Sequence, residues 1–165
     1  MEEFKVELEN LTNEERKTLL KLVEKWNKSN KRWRGKRDDT YYSVSTSGNI
    51  ITDIDCSCAY DEKCYRLGNY FKTKEEAEFV RKKQLIYQQL KDYALEHNTK
   101  DFDWDNEYLN KFCIAYDYQD NDLFIDFMQT TKYPNTVYFT SKEIAENAIK
   151  EIGEDRIKKY LFEIE

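Results

Sequence analysis

Four cysteines and one histidine are the residues of this chain best suited to metal or nucleophile chemistry, and three of the thiols cluster as Cys-x-Cys-x5-Cys at Cys56, Cys58 and Cys64. A tetrahedral zinc site needs four ligands, and Cys113 or His97 could complete the set. Structural zinc knuckles, however, present Cys-x2-Cys on a tight turn, whereas two cysteines one residue apart on a strand send both sulfurs to the same face. The spacing favours structural thiols near a sheet edge over a zinc centre, and no cofactor is expected. The first residues, Met1 to Lys5, contain no apolar leader, and no run approaches the roughly 18 apolar residues of a membrane span. The chain therefore reads as soluble and intracellular, with its thiols reduced.

Carboxylates are the other abundant reactive group, 33 Asp and Glu against 27 Lys and Arg, for a net charge of −6. Asp101, Asp103, Asp105 and Glu107 alternate with Phe102 and Trp104, and Asp117, Asp120 and Asp122 cluster at a turn. A calcium loop would need glycine near its sixth position and an acid near its twelfth, but Asn106 and Phe112 stand there. Paired carboxylates can hold catalytic metals or cleave glycosidic bonds, yet nothing in the spacing selects a pair. Phosphate-binding, dinucleotide-binding and nucleophile-elbow motifs are all absent from the sequence. His97, beside Asn98, reads as the C-terminal residue of a helix. The chain is accordingly read as a non-enzyme.

The basic residues are unevenly placed. Lys28, Lys31, Arg32, Arg34, Lys36 and Arg37 fall in one stretch that has no acid and encloses Trp33, so the rest of the chain is more acidic than its net charge implies. The stretch could grip phosphates and stack a base on Trp33. It also suits a helix end and connector, with its cations at the negative helix C-terminus. A strongly acidic body repels nucleic acid and suits a basic protein surface such as a nuclease channel.

Regular elements must position these groups. Phe4, Val6 and Leu8 alternate as a short strand. Thr12 and Glu15 form a capping box that starts a helix running to about residue 29, with Leu19, Leu22, Val23 and Trp26 on one face. Tyr42 and Val44 alternate with Ser43 and Ser45, Ser47-Gly48-Asn49 turns the chain, and residues 50–54 return. Residues 65–71 read as a third strand, and Thr73 to Glu76 caps a long helix to about Glu96. The plan then repeats: Phe112, Ile114, Tyr116 and Tyr118 on one strand face, a turn at 119–122, a return over 123–128, a short strand at 137–139, and a helix capped by Ser141 and ended by Gly153.

A shared signature marks the repeat, Phe-Lys-Thr-Lys-Glu-Glu-Ala-Glu at 71–78 and Phe-Thr-Ser-Lys-Glu-Ile-Ala-Glu at 139–146. In each copy the Phe ends a strand, the hydroxyl caps a helix, the acids favour its positive first turn, and the Ala permits close helix–sheet approach. The expected fold is α+β: residues 1–37 form an N-terminal strand, helix and basic connector, and 38–98 and 99–165 form two related β-β-β-α modules packed together. With few glycines and a single proline, no flexible linker separates them.

The junction from Leu67 to Ala77 resembles the close of the three-stranded sheet in plant ethylene-response-type DNA-binding domains and in the arm-binding domains of phage tyrosine recombinases. That resemblance implies major-groove reading by the sheet. The sheet here offers Tyr42, Ser43, Ser45, Asp53 and Asp55 where such readers use Arg and Trp. A wider resemblance is to small proteins of phages and prophages in Gram-positive bacteria. It rests on Trp33 and Gly35, Tyr41-Tyr42, the 68–78 junction, Trp104-Asp105-Asn106, residues 111–117 and the tail from Ile152 to Tyr160. It implies an accessory protein in the bacterial host cytoplasm, where many small phage proteins inhibit host defence.

The leading expectation is a binding protein that inhibits a host defence nuclease, in the manner of an anti-CRISPR, through Asp101, Asp103, Asp105, Glu107, Asp117, Asp120 and Asp122. Second is a nucleic-acid-binding regulator using the first sheet with Lys31, Arg32, Trp33, Arg34, Lys36 and Arg37. Third is a protein that sequesters a small molecule or nucleotide between the modules.

Overall fold

A computed structural model of the chain describes residues 11–29, 32–99 and 101–164. The fold is α+β, with five helices and two antiparallel two-stranded sheets among the described residues. In chain order the elements are α1 (Asn13–Ser29), β1 (Thr40–Val44), β2 (Ile50–Ile54), α2 (Ala59–Arg66), α3 (Lys74–His97), β3 (Lys111–Asp117), β4 (Asp122–Met128), α4 (Lys142–Ile152) and α5 (Glu154–Leu161). The strand expected at Phe4, Val6 and Leu8 lies outside the described residues.

Helix α1 starts where its capping box places it. The Thr12 amide donates to the Glu15 carboxylate at 2.8 Å, and the Glu15 amide donates back to the Thr12 hydroxyl at 3.4 Å. On its apolar side, Leu22 and Val23 are exposed and Leu19 is half-buried among the described residues.

In the first module β1 pairs with β2 through Tyr42 opposite Thr52, and Gly48 takes the left-handed conformation that the turn requires (φ 80°). The covered face carries Tyr41 and Ser43 rather than Tyr42 and Val44. Tyr41 sets that face by stacking on Tyr70, with ring centroids 4.0 Å apart.

The third strand expected over residues 65–71 is not formed. Residues 59–66 are helix α2, Gly68 breaks away with φ 78°, and only Phe71 pairs with Tyr42, by two backbone hydrogen bonds of 2.9 Å. The cause is Asp61, whose carboxylate accepts the amides of Cys56 and Cys58 at 2.9 and 3.1 Å and so caps a helix that strand-like alternation conceals. The Asn69 side chain makes up part of the lost pairing, accepting the Val44 amide at 2.7 Å and donating to the Val44 carbonyl at 2.8 Å.

The second module has the same reduction. After the β3–β4 hairpin, Phe139 alone pairs with Phe112, at 2.9 and 2.8 Å. The two signatures thus occupy equivalent places. Each Phe makes the single bridge, Thr73 and Ser141 cap their helices through the amides of Glu76 and Ile144, and Ala77 and Ala145 are fully buried.

Helix α3 joins the modules. Its C-terminal half contributes Ile86, Leu90, Tyr93 and Ala94 to the main core, where they meet Phe139, Ala145, Ala148, Ile152 and Ile157. A smaller aromatic core in the first module holds Tyr41, Cys64 and Tyr70, with Trp33 and Tyr65 packed on it.

Candidate functional site

The cysteines do not gather into the set of four. Cys113 lies buried in β3 of the second module, and Cys64 is buried in α2 under the aromatic core. Cys56 and Cys58 flank Ser57, which has φ 57°, in the turn before α2, so they are not on a strand. Both are exposed, and both thiols donate to one carboxylate oxygen of Asp61, at 3.2 and 3.3 Å.

Two carboxylates beneath this turn are almost wholly buried, and both are fully paired. Asp61 accepts the Tyr41 hydroxyl at 3.0 Å; Asp55 accepts the Tyr70 hydroxyl at 2.7 Å and the Ser57 amide at 2.7 Å, and pairs with Arg34 at 3.2 Å. Burial opposes ionisation of Asp61, but hydrogen bonds from Cys58, Cys56 and Tyr41 outweigh it and hold the carboxyl well below the ordinary range. The Cys58 and Asp61 contacts push the Cys56 thiol up to about 11. Burial, reinforced by hydrogen bonds to the two aspartates, raises both tyrosines. Neither of the two clefts described below is lined by Asp55 or Asp61, and the network braces the aromatic core of the first module.

The basic stretch is drawn into the same network. Arg34 lies over the rings of Tyr65 and Tyr70, at 5.0 and 4.7 Å, and donates to the Asp61 carbonyl at 3.0 Å. Arg32 covers the outer face of Tyr65 at 4.0 Å, and Trp33 packs on Tyr70 with centroids 5.5 Å apart. Gly35 passes so close that a Cβ there would sit 2.7 Å from the Tyr70 hydroxyl. Lys36 and Arg37 stay exposed, and Lys31 lies outside the described residues. Residues 32–35 thus strap the aromatic core, and Arg34 and Trp33 are engaged within it.

The segment from Asp101 to Glu107 follows its alternation. Asp101, Asp103, Asp105 and Glu107 are exposed, while Phe102 and Trp104 turn partly inward. Trp104 meets Tyr138 edge-on at 4.9 Å and is flanked by the ammonium groups of Lys111 and Lys132, at 5.4 and 5.5 Å from its ring. Lys111, 1% exposed, donates to the carbonyls of Asn106 and Gln129 and so ties the acidic segment to the end of β4. Sequence reasoning did not single out Lys111. Its place at the head of a strand resembles that of many solvent-facing lysines, and only the fold turns it inward.

Asp117, Asp120 and Asp122 sit at the other end of the hairpin. Asp117 and Asp120 shape the turn, with the Asp117 carboxylate accepting the amides of Gln119 and Asp120. Asp122 pairs with Lys158 of α5 at 2.9 Å, which lowers its pKa. The seven residues of β3 separate this turn from the acidic segment, about 20 Å of strand. The two acid groups do not form one patch, and the segment 101–107 is the more available of the two.

Two open clefts flank α3. One of about 740 Å³ lies beside the acidic segment and is lined by Lys91, Asp92, Asp101, Trp104, Lys132 and Tyr138 among others. The other, about 570 Å³, is mainly apolar and lies between α3 and residues such as Ile114, Val137, Leu161 and Phe162. Among the described residues, no helix is long and apolar enough to cross a membrane. Compared with family models, curated proteins and solved structures, the chain matches none of them.

Proposed function

We propose that the protein acts by binding rather than catalysis, and that Asp101, Asp103, Asp105 and Glu107 form its contact surface for a basic site on a protein partner. One observation carries this reading: four exposed carboxylates project from a segment held in place by Trp104, Tyr138 and buried Lys111. A pre-ordered row of like charges binds a complementary surface at lower entropic cost than a mobile one. Together with the resemblance to phage accessory proteins, it supports an inhibitor that occupies the nucleic-acid channel of a bacterial defence nuclease, in the host cytoplasm. A nucleic-acid regulator is the weaker reading because Arg34 and Trp33 already serve the internal strap.

The test is an affinity capture from nuclease-treated lysate of a Gram-positive host, run in parallel with Asp103→Lys/Asp105→Lys. The expected result is one dominant nuclease recovered by the wild type and lost from the variant, with thermal stability unchanged because both side chains are exposed. Equal recovery by the variant removes this surface. Recovery of nucleic acid alone from untreated lysate replaces the reading with the regulator.

A further inference from the structure

The turn before α2 brings three metal-ligating atoms together. Cys56 Sγ, Cys58 Sγ and an Asp61 carboxylate oxygen all lie within 4.8 Å of one another. Both sulfurs approach the same oxygen, Asp61 Oδ2, at 3.2 and 3.3 Å. In a tetrahedral zinc site with ordinary Zn–S and Zn–O bond lengths, the sulfur-to-oxygen edge is about 3.5 Å. The two sulfur-to-oxygen separations therefore stand within a few tenths of an ångström of what a tetrahedral ion imposes, and the two sulfurs lie within 4.8 Å of each other.

The surroundings fit a ligand set as well. The Tyr41 hydroxyl holds Asp61 Oδ1 at 3.0 Å, and Oδ2, which faces the sulfurs, also accepts the Cys56 and Cys58 amides at 2.9 and 3.1 Å, so outer partners fix the carboxylate as they fix metal-binding carboxylates. Asp61 itself is 2% exposed, whereas both cysteines are open to solvent, so the rigid ligand lies beneath and the entry path above. The helix cap accounts for Asp61, but it requires no sulfur at position 56 or 58.

We propose that Cys56, Cys58 and Asp61 form a binding site for a soft divalent cation of the zinc class, with two thiolates and one carboxylate as ligands and a fourth position open to solvent. On binding, the two thiol protons now shared with Asp61 Oδ2 pass to solvent, and the ion takes their place between sulfur and oxygen. Cys64 and Cys113 take no part. The site is independent of the acidic segment, and neither proposal requires the other.

Co²⁺ titration of the full chain, under anaerobic conditions with a phosphine reductant, tests the assignment. The wild type is expected to give thiolate-to-cobalt charge-transfer absorption and the intense visible bands of tetrahedral coordination, bleached by added Zn²⁺. Cys56→Ser and Cys58→Ser, both at exposed positions, should each lose the charge-transfer signal while keeping the wild-type circular dichroism and melting temperature. Cys113→Ser should keep the signal, and Tyr41→Phe should weaken Co²⁺ binding by about tenfold. An unchanged octahedral Co²⁺ spectrum with wild-type protein, or bands that survive both cysteine substitutions, overturns the proposal.

Discussion

Asp61 concentrates more of the first module's hydrogen bonding than any motif in the sequence announces. One carboxylate caps α2, receives two thiols and holds the Tyr41 hydroxyl that faces the aromatic core. Folding lowers its pKa from the ordinary 3.8, so its stabilising contribution is complete above that value and is lost as acid carries the pH below it. Urea unfolding at a series of pH values should show wild-type stability falling below about pH 4. Asp61→Asn should be less stable at neutral pH by about 2 to 3 kcal/mol, and its stability should fall less steeply with acid. The network was hidden at sequence level because Arg34, Tyr41, Asp55, Asp61 and Tyr70 come from separate segments. The cysteine spacing was read in terms of strand geometry, whereas Cys56 and Cys58 lie exposed in the turn before α2, and Cys64 and Cys113 are buried elsewhere.

Helix starts were the most readable elements, because capping is a local interaction written in neighbouring residues. Thr12, Thr73 and Ser141 all cap where their sequences place them. Thr73→Ala and Ser141→Ala should each lower stability by about 1 kcal/mol, measured by thermal or urea unfolding. Ala145 lies where α4 meets the main core with no exposed surface, so Ala145→Leu should cost about 1 to 3 kcal/mol through overpacking. Both hairpins were equally legible. Helix α2 was missed because its apolar residues are few and Tyr65 to Phe71 alternate like a strand, while the deciding contacts run back from Asp61 to the preceding turn. The third strands were overcalled for a related reason: Phe71 and Phe139 do pair, but a side-chain amide and a loop replace the rest of each ladder.

Across the whole molecule, α3 serves both modules. Its first turn follows the Phe71 bridge of one, and its second half forms the core of the other. Unfolding should therefore give coincident transitions by tryptophan fluorescence and by circular dichroism, and Leu90→Ala, at a 3% exposed site, should lower both midpoints together at a cost of about 2 to 5 kcal/mol. Helix α4 ends at Gly153 with φ 101°, and α5 begins at the next residue. Aligned along the repeated signature, that glycine falls opposite Leu85, in the unbroken middle of α3. One copy of the unit thus keeps a straight rod and the other a jointed arm. The joint lets Tyr160 fold back against Phe79 of the rod and lets Lys158 reach the Asp122 turn. An unbroken helix running on from α4, as α3 runs on past the equivalent position, would carry these residues away from α3, so the break at Gly153 closes a clasp over the rod.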